Sequence, residues 1–169
     1  MSNMPTNLDA AARAWGSAIP TVAALLLSAA TASAQAKPFP QNTGYGRGFL
    51  PASIVAADAK AIHQAWKATY LKSDCGNGTY RVEFNGPAGS TVSEGMGYGM
   101  LLTAYHGDKA EFDGLWKFAQ KNLNASHLMG WHVTCAGPTA SDGGDSSATD
   151  GDEDIAFGLV VAVDQWGSE

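Results

Sequence analysis

Ser93-Glu94-Gly95-Met96-Gly97-Tyr98-Gly99-Met100 places three glycines at alternate positions inside a stretch with helical surroundings. Each glycine costs a helix roughly 1 kcal/mol relative to alanine. A chain that accepts this cost repeatedly needs its backbone close to something, either a second helix or a ligand. The stretch continues through Leu101 and Ala104 to His106, with Gly107 as its stop and Ser93 as its expected N-cap. Close approach of the backbone to a second helix or a ligand is therefore the first demand on the fold. The same stretch puts the carboxylate of Glu94 in a first turn, where the helix dipole favours the ionised form. Taken alone, Glu94 reads as an exposed carboxylate serving that dipole.

Other segments supply helices to pack against. Val55, Ala59, Ile62, Trp66 and Tyr70 fall on one face of a helix beginning near Ser53. Phe112, Leu115, Trp116 and Ala119 form the stripe of a helix starting at Asp108. Ile155, Ala156, Leu159, Val160, Val163 and Trp166 share a face of a last helix, capped near Thr149 or Asp150. Thr79 to Phe84 is short and β-rich, closed by Asn85-Gly86-Pro87, and reads as a small strand. Leu128 to Asp145, with Gly130, Gly137, Pro138, Gly143 and Gly144, reads as loop. Four helices, one doubtful strand and no βαβ alternation predict an all-α fold.

The beginning of the 169-residue sequence reads as a leader. A weakly positive start holding Arg13 precedes the apolar run Ile19 to Ala30. Ala32-Ser33-Ala34-Gln35-Ala36 follows with two A-x-A sites, and Lys37-Pro38-Phe39-Pro40 then breaks any helix. The run is too short to span a bilayer. Residues 1–36 are therefore expected to be a signal peptide and residues 37–169 the mature part, secreted or periplasmic. Export suits Cys75 and Cys135 as a disulfide, with two buried free thiols as the alternative.

Charge narrows the partners. The net charge is −6, and no Lys or Arg follows Lys121. That disfavours nucleic acid or an anionic membrane as partner. Asp142, Asp145, Asp150, Asp152, Glu153 and Asp154 crowd into one short region. Asp150, Asp152 and Asp154 mimic the opening of a calcium loop, but Ile155 replaces its required Gly and Val161 stands at its Glu position. No metal and no cofactor is expected. If the acidic cluster folds back onto Glu94, like-charge repulsion would raise that carboxyl toward a general acid's range.

Together the two segments resemble glycoside hydrolase family 8. Ser93 to Met100 matches the family's S-E-G-x-G-Y-G-M pattern completely. Ala148-Thr149-Asp150-Gly151-Asp152-Glu153-Asp154-Ile155-Ala156 resembles its A-[ST]-D-[AG]-D-x-x-[IM]-A pattern. One position departs: Gly158 stands where the family usually has Ser or Ala. Phe112-Asp113-Gly114-Leu115-Trp116, Leu128-Met129-Gly130-Trp131 and Gln165-Trp166-Gly167 extend the likeness over nearly all of residues 37–169.

The resemblance implies an (α/α)6 toroid of helical hairpins, of which this chain holds only the first portion. It implies an inverting endo-hydrolase of β-1,4-linked polysaccharide: cellulose or mixed-linkage β-glucan first, chitosan next. Glu94 becomes the proton donor, and Asp150 the residue that contacts and distorts the sugar at the cleavage point. Trp131 resembles a stacking platform, in keeping with its loop setting. Tyr98 lines the cleft or belongs to the core, and Asp152 is expected to bind substrate. Trp66, Trp116 and Trp166 lie on stripes and belong to the core. In the family the base that activates water follows well after these motifs, so this chain is expected to lack it and to expose apolar stripes. The full-length protein is expected to be a monomer. The alternatives are a non-catalytic carbohydrate-binding fragment and a calcium-dependent structural module.

Overall fold

The computed structural model describes residues 37–39, 53, 55–86 and 89–167. The expected leader lies outside them. Four helices dominate: α1 (Ala56–Tyr70), α2 (Ser93–His106), α3 (Lys109–Lys121) and α4 (Thr149–Trp166). The all-α class holds. Among the described residues, no helix is long and apolar enough to cross a membrane.

Strands are more numerous than expected. β1 (Leu71–Lys72) pairs antiparallel with β2 (Arg81–Val82), Leu71 opposite Val82. β3 (Thr91–Val92), β4 (His132–Thr134) and β5 (Gly137–Pro138) form a second sheet, with Val92 opposite His132 and Thr134 opposite Gly137. The stretch read as loop from Leu128 to Asp145 thus contains a hairpin and a 3-10 turn (Ala140–Asp142). Strands of two or three residues are too short to leave an alternation signal.

The core lies between α2 and α3. Met96, Met100 and Ala104 meet Phe112, Leu115, Phe118 and Ala119, joined by Met129, Val133 and Ile155. Trp66, Trp116 and Trp166 pack against this cluster. Fully burying a side chain of this size stabilises by about 1.5–3 kcal/mol.

The glycines explain how α4 reaches α2. A Cβ on Gly97 would strike Asp154 Cβ and lie 3.1 Å from the Ile155 backbone N. A Cβ on Gly158 would stand 3.0 Å from Met100 Cβ, so the family's usual Ser or Ala is tight here. The face that α4 buries is Gly151, Ile155, Gly158, Ala162 and Gln165. The expected stripe is thereby corrected: Ala156, Val160 and Val163 are exposed, Val160 by 64%. Proximity selected the small-residue face over the more apolar one, because only small residues let two helix backbones approach so closely.

The face of α1 also differs. Ile62 is 70% exposed, Val55 and Tyr70 are exposed too, and His63 is the buried residue. Polar contacts set this orientation. His63 Nε2 lies 2.8 Å from Asp108 Oδ2, and Lys67 Nζ donates to Asp108 at 2.8 Å and to Glu111 at 2.5 Å. The His63 ring stacks on His106 with centroids 3.8 Å apart. Burial alone would raise the Asp108 carboxyl, but the hydrogen bonds from Lys67 and His63 outweigh it and hold it below the usual range. The expected uncovered apolar surface is present in Ile62, Phe157, Val160 and Val163.

Cys75 and Cys135 form a disulfide across 60 residues of chain, which removes the free-thiol alternative. It ties the turn after β1 to the β4–β5 turn. Beside it Arg81 is 1% exposed and grips Asp74 with two bonds, Nε to Oδ1 at 2.8 Å and Nη2 to Oδ2 at 2.6 Å. Its Nη1 donates to the Ser90 carbonyl at 3.3 Å. Gln165 holds the incoming chain: its Nε2 donates to the Lys37 carbonyl at 3.0 Å and to the Ala104 carbonyl at 2.8 Å.

Candidate active site

β3 runs directly into α2, so Glu94 is the second residue of the helix. Ser93 does not cap it. The Ser93 hydroxyl instead donates to Glu94 Oε2 at 3.3 Å, and the Ser93 N–H donates to the Trp131 carbonyl at 3.0 Å. Ser93 is fully buried, and its hydroxyl lies beside Gly151 of α4. The β3–β4 pairing therefore brings Trp131 next to the start of α2.

The first turn of α4 crosses at the same place. A Cβ on Gly151 would lie 2.7 Å from Ser93 Cβ and 2.9 Å from the Glu94 backbone N. The first turn of α4, which carries the acidic segment, packs against the first turns of α2. Asp150, the neighbour of Gly151, is exposed. The backbones beside Glu94, Asp150 and Trp131 thus meet where α2 and α4 begin. Tyr98 lies one turn beyond Glu94 on α2 and is 57% exposed in this chain.

Asp152 points inward. Its Oδ1 accepts the Met129 N–H at 3.0 Å, while its Oδ2 is buried and has no partner among the described residues. Burial pushes the Asp152 carboxyl above its ordinary range, against the Met129 bond. This side chain ties α4 to the segment leading into Trp131. The acids at the start of α4 do not converge as ligands. Among the described residues, the one group of three potential ligand atoms within 4.8 Å is Asp74, Cys75 and Cys135, and its sulfurs are bonded to each other.

Trp131 is held by its own backbone and by its ring. Its N–H donates to the Ser146 carbonyl at 2.7 Å, and its indole Nε1–H to the Gly143 carbonyl at 3.2 Å. Its ring remains half-buried. The Ser93 hydroxyl and the Met129–Asp152 bond escaped sequence reasoning, since neither is marked by a residue type unusual for its place.

A carboxyl with a hydroxyl neighbour, an exposed acid and an indole face gathered at two helix starts can protonate and bind a sugar chain. Residues 38–169 match the profile described as glycosyl hydrolases family 8. The chain belongs to that family. Endoglucanase A of Acetivibrio thermocellus is 41% identical over 152 residues, covering 85% of this chain and 31% of that protein. A beta-glucanase of Niallia circulans is 41% identical over 160 residues, covering 87% of this chain and 38% of that protein. Among solved structures, the apo beta-1,3-1,4-glucanase of Paenibacillus sp. X4 is similar with a TM-score of 0.67 at 38% identity, over 80% of this chain and 38% of that one. The chain spans about a third of the length of the relatives it matches. Its helical arrangement is that of part of the family's toroid.

Proposed function

We propose that this family 8 chain carries the general acid and the sugar platform of an exported endo-acting β-glycanase. The observation that carries the reading is the contact between the starts of α2 and α4, where the backbone neighbours of Glu94, Asp150 and Trp131 meet. Relatives named as endoglucanases and a beta-glucanase support a β-1,4-linked glucan as substrate, with mixed-linkage β-glucan included.

In this mechanism the Glu94 carboxyl transfers its proton to the glycosidic oxygen as the C–O bond breaks. Water attacks the anomeric carbon from the opposite face. Its proton passes to a second carboxylate, about 6.5–9.5 Å from the acid in inverting enzymes. Asp150 contacts the sugar at the cleavage point, Trp131 stacks on the apolar face of a pyranose ring, and Tyr98 lines the cleft. Asp152 acts on substrate through the Met129–Trp131 segment. The leader-like residues 1–36 and the disulfide support export. A β-linked polysaccharide is the partner, with no nucleic acid, no membrane and a monomeric full-length protein.

Reducing-end release from carboxymethyl-cellulose, mixed-linkage β-glucan and chitosan tests the reading, on the 169-residue chain and on any longer protein that contains it. Turnover should vanish in Glu94→Gln while oligosaccharide binding persists. Turnover that survives Glu94→Gln removes Glu94 as the acid. Binding without release in every form favours the carbohydrate-binding reading.

A further inference from the structure

The loop after β5 wraps closely around two adjacent residues, Trp131 and His132. The His132 carbonyl accepts the Thr139 N–H at 3.0 Å, and the His132 N–H donates to the Gly144 carbonyl at 3.4 Å. Gly144 has no room for a side chain, because a Cβ there would run into the His132 carbonyl. At the centre of this wrapping His132 Nδ1 lies 2.6 Å from Asp142 Oδ2. The other Asp142 oxygen accepts the Thr139 hydroxyl.

The imidazole is confined on both sides. Its ring meets the Trp131 indole at a centroid distance of 5.2 Å and an interplanar angle of 43°. The Phe84 ring approaches edge-on at 6.4 Å and 74°. With its proton on Nδ1 facing Asp142, the ring leaves Nε2 buried and without a partner among the described residues. A side chain selected only to fill the space between Phe84 and Trp131 would be apolar, since an orphaned buried nitrogen costs free energy. The carboxylate bond supplies what an apolar filler lacks, a fixed ring plane. Hydrogen bonding to Thr139 and His132 keeps the Asp142 carboxyl below its usual range, so it stays an acceptor across the working pH.

We propose that Asp142 and His132 are positioning residues for the Trp131 platform: Asp142 fixes the imidazole plane, the imidazole fixes the tilt of the indole, and the Gly143 carbonyl at the end of the same turn pins the indole N–H. The ligand served is a neutral pyranose ring, stacked by its C–H face. Such stacking depends on ring orientation, so a freed indole binds more weakly even though it is still present. The consequence for sugar binding rests on the proposed function; the mechanics of the indole do not.

Three readings on the full chain separate these. The first is the Trp131 share of tryptophan emission, obtained by difference from Trp131→Phe, with its quenching by acrylamide. The second is the Kd for cellotetraose by calorimetry. The third is the unfolding temperature. Asp142→Asn should make the Trp131 share more quenchable and raise the cellotetraose Kd about fivefold, the worth of a misplaced aromatic contact. His132→Phe keeps an aromatic ring beside Trp131 while removing the bond to Asp142, and it carries the same test should Asp142→Asn fail to fold. A Trp131 emission share unchanged in a folded variant overturns the proposal. Altered emission with no cellotetraose binding by any form upholds the positioning and defeats the platform reading instead.

Discussion

Gly95 and Gly97 lie two residues apart on one helix, yet alanine should act on them with opposite sign. At Gly95 a Cβ would meet Val82 Cγ1 at 3.6 Å and Val92 Cγ2 at 3.7 Å, which is ordinary contact. Gly95→Ala therefore gains helix propensity at no steric cost. The full gain is roughly 1 kcal/mol, reduced to a few tenths or more because the site is in the first turn. At Gly97 the Cβ would overlap Asp154 Cβ, with the Asp154 carbonyl carbon and the Ile155 N each at 3.1 Å. Backbone cannot swing away as a side-chain tip can, so α4 must move off α2. Forcing a methyl into a well-packed contact costs about 1–3 kcal/mol. After the same propensity gain, Gly97→Ala should lose up to about 2 kcal/mol. At about 3 °C per kcal/mol, Gly95→Ala should melt 1–3 °C higher than wild type and Gly97→Ala up to about 6 °C lower. Thermal unfolding followed by circular dichroism reads both. A Gly97→Ala variant as stable as Gly95→Ala would refute the claim that Gly97 is there for the contact with α4.

Opening the disulfide with Cys75→Ser and Cys135→Ser together should lower stability by about 4 kcal/mol in the chain-entropy model, read by urea titration. A loss below about 1 kcal/mol would mean the two turns are already held by Arg81. Asp74→Ala strands a guanidinium that is 1% exposed, and should cost about 1–3 kcal/mol, with Glu83 and the Ser90 carbonyl as remaining partners. Asp152 titrates above its ordinary value in the fold, so its stabilising effect is present below the unfolded pKa and fades as pH rises through the folded one. Asp152→Asn keeps an acceptor for the Met129 N–H and removes that titration. The stability difference between Asp152→Asn and wild type should therefore move in the variant's favour as pH climbs above about 4. A pH-independent difference would contradict the burial assigned to this carboxyl.

Helix positions, and the two motif-bearing helix starts that meet in the fold, were legible because both are written locally. The Gly-rich run marked α2, and the A-T-D segment marked the start of α4. Helix faces were not. On α1 the apolar stripe through Ile62 lost to His63, whose bond to Asp108 depends on a residue 45 positions away. On α4 Val160 lost to Gly158 because packing distance, not apolarity, selected the face. The hairpin at His132–Thr134 was hidden for another reason. Its pairing partner Thr91–Val92 lies some forty residues earlier, and neither strand is long enough to alternate. Trp131 stood out through the family's Leu-Met-Gly-Trp motif, with which its loop setting agrees, while its neighbours His132 and Asp142 have no local signal.

The Gln165 grip on Lys37 decides from which side the protein is handled. Lys37 is bound through its backbone to Gln165, and Phe39 through its N–H to the Tyr105 carbonyl, both at the C-terminal end of α2. Glu94 lies at the other end of that helix, about 15 Å away at roughly 1.5 Å per residue. A linker joined ahead of Lys37, whether to a surface, a bead or a second binding module, would leave beside the C-terminal end of α2, about 15 Å along that helix from Glu94.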